Sequence, residues 1–212
     1  CNEYNLTYVH GPVSFENALL DSLMLLEEKP DDTVLAGGVE EITESHFEIT
    51  DSMGFWKKGA ISNLKLLENR SPGTIAGEGA AFFLLTREKD PRNYAEISGL
   101  TTKFNPGRQL KAASYMEEFL SSYHLDKNDI DLVIFGLNGD PENDAIYRPV
   151  QEYFGEMTLQ AWYKHLSGEH YLASSFALWL GSMILKNNTI PDLIRLNKHK
   201  KSASPKNIII CN

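Results

Sequence analysis

The chain has 212 residues, enough to bury a substantial core as one large domain or two small ones. Its apolar fraction of 42% is ordinary for a globular protein and argues against a disordered chain. A formal net charge of −9 disfavours nonspecific binding to nucleic acid or an anionic membrane, because both surfaces would repel it. Local basic patches, at Lys57-Lys58 and at residues 198–201, could still receive an acidic protein partner.

The cysteines and the apolar runs indicate a reducing, cytoplasmic setting. The chain has two cysteines, Cys1 and Cys211, at opposite ends and with no paired spacing. This pattern is neither a disulfide framework nor a metal signature, so a reducing cytoplasm is the expected setting. We expect no metal and no cofactor. No apolar run reaches the length of a membrane span.

The sequence of the first half of the chain predicts several strands and one amphipathic helix. Residues 5–9 alternate and predict a short strand. Apolar residues at helical spacing predict a helix that ends before Pro30, since proline disfavours helical geometry in the residue before it. The compact apolar run 32–38 predicts a buried strand, and 77–88 predicts another strand. We expect short helices and loops over 42–72.

The second half continues the alternation after a charged, proline-containing interruption at 88–93. A third strand is predicted over 94–104. The remaining predicted elements are a helix over 107–123, a strand over 131–136, helices over 144–154 and 170–186, and strands over 193–197 and 207–211. Because helices alternate with apolar strands, the predicted class is α/β, with buried sheets and helices on their faces.

Four segments, taken in order, carry a resemblance. A helix leads into a strand that ends in Gly37-Gly38, within 14–41, and a glycine-glutamate-glycine step opens an apolar strand at 76–86. A strand enters a turn-rich loop within 131–155, and a lysine precedes a helix of small residues within 163–197. Together these segments resemble the β-ketoacyl-acyl-carrier-protein synthases of the thiolase-like superfamily.

The resemblance implies a layered α/β/α/β/α fold that here lacks the N-terminal part of its first half. Residues 1–90 would be the remaining part of the N-terminal half and 91–212 the C-terminal half. We expect the absent part to have been cleaved or truncated, or to be supplied by a partner chain.

The resemblance also implies three active-site residues. His170 would polarise the carbonyl of a malonyl thioester, and Lys164 would orient the histidines and hold a charge. His165 competes with His170, because the spacing from Lys164 is displaced by one residue. Asn138 stands where a first catalytic histidine is expected; it can donate a hydrogen bond to a thioester carbonyl but cannot transfer a proton. The alternatives are an ordinary turn at Asn138 and a surface helix end at His170.

The nucleophile position of the family lies near Pro12, and it is unoccupied. A cysteine there would be activated by a helix N-terminus and flanked by backbone N–H groups. No Cys, Ser or Thr stands at Gly11-Pro12. Ser14, close by, is typical of a helix N-cap, and Cys1 lies too far upstream.

Three functions follow as hypotheses. The preferred one is a ketosynthase-like subunit of fatty acid or polyketide-type biosynthesis that lacks the nucleophile, as chain-length factors do. Its partners would be acyl carrier protein and a second subunit, in a homodimer or in a heterodimer with a ketosynthase. The second is an active condensing acyltransferase whose nucleophile is displaced. The third is an unrelated small α/β binding domain, which is disfavoured because no glycine pattern of a phosphate loop follows the first strand.

Overall fold

The first sheet is an antiparallel pair of strands. The computed structural model describes residues 4–103, 111–197 and 204–212. In it, β1 (Thr33–Glu40) pairs with β2 (Gly79–Thr86) from Thr33↔Thr86 to Glu40↔Gly79. One face of this sheet packs on α1 (Ser14–Glu28), where Phe15 and Leu19 form the centre of a buried cluster.

The other face of the first sheet is apolar and open. Leu35, Val39, Phe82 and Leu84 point to this side, and each is 58–72% exposed. The prediction of a buried strand at 32–38 is therefore right about the strand and wrong about its burial, since one face has no cover within the described part of the chain.

The second sheet is parallel and buried. It contains β3 (Leu132–Phe135), β4 (Leu159–Trp162) and β5 (Ile208–Cys211), in the order β4-β3-β5. All four residues of β3 are buried, which explains its unbroken apolar run. On one face lies α7 (Ala173–Asn187), whose small residues let the helix approach the sheet closely.

The opposite face of the parallel sheet is covered by two further helices. These are α3 (Ala112–Ser122) and α5 (Arg148–Phe154), which contact each other and share a core cluster with the sheet. Helices α1 and α7 lie between the two sheets, because α7 also contacts β2 and α1. The described layers are thus sheet, helices, sheet and helices, and the α/β class is confirmed.

Short helices and turns complete the described chain. They are α2 (Glu44–Ser52), α4 (Pro141–Asp144) and α6 (Lys164–Ser167), with 3-10 turns at Gly11–Val13, Asn63–Lys65, Lys127–Asp129 and Asp192–Ile194. None of the helices described is long and apolar enough to cross a membrane.

Several predicted elements differ from the structure. Residues 5–9 and 94–103 form no strand, because no neighbouring strand among the described residues pairs with their backbone. The predicted strand 193–197 is a 3-10 turn followed by one bridge, Ala161↔Arg195. The predicted helix 144–154 is realised as α5 only from Arg148, because residues 145–147 form a turn after α4. Residues 104–110, the end of one predicted strand and the start of the helix predicted over 107–123, lie outside the described residues.

Replacing a side chain of the central strand tests where the core lies. Ile134→Ala removes a fully buried side chain between the parallel sheet and α7, and we expect it to lower the free energy of unfolding by about 2–5 kcal/mol. Leu84→Ala, on the open face of the first sheet, should change it by less than about 0.5 kcal/mol. Urea denaturation measures both, and equal losses would contradict this assignment of the core.

Candidate functional site

Two glycines bring the halves of the candidate site together. Helix α6 ends at Gly168, whose φ is +69°, in the left-handed region that favours glycine. Gly168 lies against Gly77, and a side chain at Gly77 would fall 2.0 Å from the carbonyl oxygen of Ser167. Next to this contact, the Glu169 N–H donates to the carbonyl of Ile75 at 2.8 Å. Gly77, the first glycine of the glycine-glutamate-glycine step, is thus required for a close backbone approach that fixes Glu169.

A buried ion pair occupies the centre of the site. Lys164 Nζ lies 2.8 Å from Glu169 Oε1 and 2.9 Å from Oε2. The Asn138 side-chain amide donates to Glu169 Oε2 at 2.6 Å. The Lys164 side chain is only 8% exposed, so this pair is shielded from solvent on the lysine side. The structure therefore brings the predicted residues Lys164 and Asn138 together, and it does so through Glu169.

Sequence reasoning did not single out Glu169. The available signal was the combination of a lysine, a glycine and an acidic residue at positions 164, 168 and 169, in a segment otherwise rich in apolar and small residues. A buried lysine requires a compensating carboxylate nearby, which is the physical reason to look for one.

Asn138 belongs both to a turn and to the site. It follows β3, and its Oδ1 accepts a hydrogen bond from the Asp140 N–H at 3.0 Å. The N–H groups of Asn138 and Gly139 donate to the two carboxylate oxygens of Asp144 at 2.8 and 3.0 Å. These bonds hold the Asn138 side chain towards Glu169. The turn interpretation and the site interpretation thus describe the same residue.

His170 lies beside the ion pair without joining it. Its ring is half-buried, and no hydrogen bond links it to Lys164, Glu169 or Asn138 among the described contacts. Its Nδ1 is buried and has no hydrogen-bond partner in the described structure. Burial lowers the pKa of His170, and the nearby Glu169 carboxylate opposes part of that shift. The ring is therefore biased towards the neutral form.

His165 belongs to the core. It is 1% exposed and stacks on Trp162, with ring centroids 3.9 Å apart. Burial lowers its pKa to about 4, while the backbone of Leu193 acts weakly in the opposite direction. Neither ring nitrogen makes a well-formed hydrogen bond within the described structure. A ring packed in this way is part of the core and is closed to solvent.

The start of α1 is a turn closed by a serine hydroxyl. Gly11–Val13 forms the 3-10 turn before the helix. The Ser14 hydroxyl donates to the Gly11 carbonyl at 2.8 Å and accepts from the His10 N–H at 2.7 Å, so it closes the turn. The helix cap itself is Val13, not Ser14 as predicted, although Ser14 performs the tying role of a cap. Cys211 is not activated either, because burial raises the pKa of its thiol to about 12.

A second carboxyl group, Glu16, lies in the first turn of α1, near enough to Lys164 for the lysine charge to act on it. Burial raises the pKa of Glu16, while Ser174, Asn212 and the Lys164 charge oppose the shift. Neither Glu16 Oε2 nor the Ser174 hydroxyl has a hydrogen bond of good geometry in the described structure. The sequence analysis did not single out Glu16 as a site residue, because helical periodicity alone does not show which residues lie near a first-turn side chain.

The arrangement favours charge pairing over proton transfer. Both oxygens of Glu169 are bonded to Lys164, and one also accepts from Asn138. An ion-paired carboxylate and an amide are poor groups for general acid–base catalysis near neutral pH. Three or more His, Cys, Asp or Glu residues placed to hold a metal ion do not occur within the described ranges.

The fold has close counterparts among solved structures. A β-ketoacyl synthase from Burkholderia phymatum is 19% identical and matches with a TM-score of 0.66, over 93% of this chain and 53% of that one. The ishigamide ketosynthase/chain length factor is 16% identical, with a TM-score of 0.67 over 97% and 52% of the two chains.

A third counterpart is a type II polyketide synthase acyl-carrier protein in complex with its ketosynthase bound to the hexaketide. It is 14% identical, with a TM-score of 0.68 over 95% of this chain and 54% of that one. Neither a protein-family model nor a curated protein sequence matches the chain. The chain thus has the thiolase-like ketosynthase fold and spans about half the length of these solved structures.

Breaking the central ion pair tests whether Lys164 and Glu169 are energetically coupled. Lys164→Met leaves a largely buried carboxylate unpaired, and we expect a loss of about 2–3 kcal/mol in the free energy of unfolding, below the range for full burial because Glu169 is partly exposed. Adding Glu169→Gln should restore at least about 1 kcal/mol relative to the sum of the single changes. Lys58→Met, which breaks the exposed pair with Asp51, should cost less than about 1 kcal/mol. Strict additivity at 164 and 169 would contradict the coupling.

The buried His165 predicts a specific pH dependence of stability. Its pKa is lowered on folding from 6.5 to about 4, so the unfolded chain binds the proton more readily between these values. Stability contributed by neutral His165 is therefore complete above about pH 6.5 and is lost as the pH falls towards 4. His165→Phe should flatten the stability profile in this window, whereas His10→Gln, at an exposed position, should not. Thermal melts across the window measure this, and an unchanged profile in His165→Phe would rule it out.

Proposed function

We propose that the chain is a β-ketoacyl-synthase-like component of fatty acid or polyketide-type biosynthesis that lacks its own nucleophile. In this role it acts beside a ketosynthase that carries the reactive cysteine, and it receives acyl carrier protein as a partner. The observation that carries the proposal is the turn before α1, where Gly11–Val13 and the hydrogen-bonded Ser14 offer no reactive side chain on a ketosynthase fold.

The ion pair supports the same conclusion. In a condensing site a neutral imidazole polarises a thioester carbonyl and stabilises the carbanion formed by decarboxylation. Here Asn138 turns its amide towards Glu169, and Lys164 is paired with the same carboxylate. The groups at the centre therefore satisfy one another and leave no free imidazole among them. His170, beside the pair, is the one described group near it that could still polarise a carbonyl.

The partner assignments rest on the counterparts of the fold. One of them is a ketosynthase/chain length factor, and another is an acyl-carrier protein in complex with its ketosynthase. A surface formed with a ketosynthase would give this chain a role in shaping a site whose chemistry is performed elsewhere. We place this function in the cytoplasm, and we assign residues 1–90 and 91–212 to the two halves of the fold.

The active condensing acyltransferase is the competing function, and acylation separates the two. The chain is incubated with malonyl- and acyl-loaded carrier protein, and its intact mass is measured beside a cysteine-bearing ketosynthase as positive control. We expect no acyl adduct on this chain, in the wild type or in Cys211→Ser, because burial raises the pKa of the Cys211 thiol to about 12 and keeps it protonated near neutral pH.

Release of CO₂ from the malonyl carrier protein completes the experiment. We expect no release above the level without protein. An acyl adduct on any residue of this chain would contradict the proposal. Decarboxylation that disappears in His170→Ala would also contradict it, and would assign His170 the role implied by the resemblance.

A further inference from the structure

A cavity on the outer side of the parallel sheet carries unpaired positive charge. It lies between the segment around Arg70 and the start of α5, and its volume is about 200 Å³. Its lining includes Arg70, Arg148, Asp144 and Gly139. The volume is below the roughly 300 Å³ at which sites for whole small molecules begin, so the cavity suits a single small group.

The two arginines of this cavity differ from the other described arginines. Arg87, Arg92 and Arg195 each pair with a carboxylate. Arg70 and Arg148 have no ion pair or side-chain hydrogen bond within the described parts of the chain, and both line the same cavity. The chain as a whole has a net charge of −9, so two unpaired guanidinium groups at one cavity differ from the negative charge of the rest of the protein.

The acidic residue of the cavity, Asp144, forms no ion pair with either arginine within the described structure. Both carboxylate oxygens of Asp144 accept backbone N–H groups, from Asn138 at 2.8 Å and from Gly139 at 3.0 Å. The carboxylate is therefore engaged with the turn after β3. The guanidinium groups remain available to an anion from outside.

A rigid frame holds the Arg70 segment in place. Lys57 is buried, and its Nζ donates to the Asn69 carbonyl at 3.0 Å and to the Ser71 carbonyl, on both sides of Arg70. The Gly73 N–H donates to the Asp140 carboxylate, which joins this segment to the turn that carries Gly139. The backbone on both sides of the cavity is thus fixed before any ligand arrives, which reduces the ordering cost of binding.

We propose that this cavity is a binding site for a phosphate group, held by the guanidinium groups of Arg70 and Arg148. The planar fork of arginine matches phosphate oxygens in bidentate geometry, and two such forks provide more donors than a carboxylate can accept. The source is either free organic phosphate or the phosphopantetheine arm of a carrier protein. Only the carrier-protein source depends on the proposed function.

Titration with small phosphates tests the site itself. Inorganic phosphate and free 4′-phosphopantetheine are titrated into the full chain and followed by ³¹P NMR, and pantetheine without the phosphate is followed by ¹H NMR. We expect both phosphates to bind and pantetheine not to bind at the same concentrations. Arg70→Gln and Arg148→Gln should each raise the Kd by roughly tenfold, as expected for the loss of one hydrogen-bonded charge. Lysine at either position, which keeps the charge and loses the fork, should give a smaller rise.

Arg87→Gln is the matched control, because it removes an arginine at the end of the first sheet. It should leave the Kd unchanged, and all variants should keep the thermal unfolding transition of the wild type. Absence of phosphate binding to the wild type, equal binding of pantetheine, or equal weakening in Arg87→Gln would overturn the proposal.

A final arm distinguishes the two sources. Carrier protein bearing the phosphopantetheine arm is compared with the same protein lacking it. Binding that needs the arm and weakens in Arg70→Gln supports the carrier as the source. Binding of small phosphates without any binding of the carrier keeps the cavity as a site for free organic phosphate and contradicts the carrier partner.

Discussion

The close approach of Gly77 to Gly168 is the constraint on which the candidate site depends. A side chain on either glycine would overlap the backbone of the other segment. Across this contact the Glu169 N–H donates to the Ile75 carbonyl at 2.8 Å, and the Glu169 carbonyl accepts from the Gly77 N–H at 3.1 Å, so the backbone of Glu169 is fixed on both sides. Lys164 enters from the same short helix that Gly168 ends. The ion pair therefore depends on two backbone segments that lie closer together than any residue with a side chain at positions 77 and 168 would permit.

The ion pair in turn defines what the site can do. Isolated buried charges are costly, and the cost is offset here by two oxygens on one nitrogen and by the Asn138 amide. A site that uses its polar groups in this way is well ordered, and it has little left to offer a reacting carbonyl. The fold is that of ketosynthases over about half of their length, and the described centre of the site is a polar network of Lys164, Glu169 and Asn138.

The two sheets differ in how their faces are covered. The parallel sheet is covered by helices on both faces, whereas the antiparallel pair has α1 and α7 on one face only within the described chain. Leu35, Val39, Phe82 and Leu84 form a continuous apolar surface there, because the register places their side chains on one side. Scattered apolar residues on a surface need no explanation, but a continuous row of this kind is a feature of interaction surfaces.

Local patterns in the sequence were sufficient for much of the fold. The helical period of α1, the apolar run of β3 and the small residues of α7 identify their elements because neighbours in sequence determine them. The prediction of a strand over residues 5–9 was wrong. These residues have β-type composition but no partner strand among the described residues, and strand pairing is a property of the whole fold.

For the candidate site, the sequence by itself indicated the fold family to expect, the absence of Cys, Ser and Thr at Gly11-Pro12, and Lys164 and Asn138 as candidate residues. Only the tertiary structure decided that Glu169 joins these two residues, that His170 stands beside them and that His165 is a core residue. The physical reason is distance along the chain. Asn138 and Glu169 are separated by 31 positions, and the turn after β3 and the approach of Gly77 to Gly168, which no local pattern encodes, bring them within hydrogen-bonding reach.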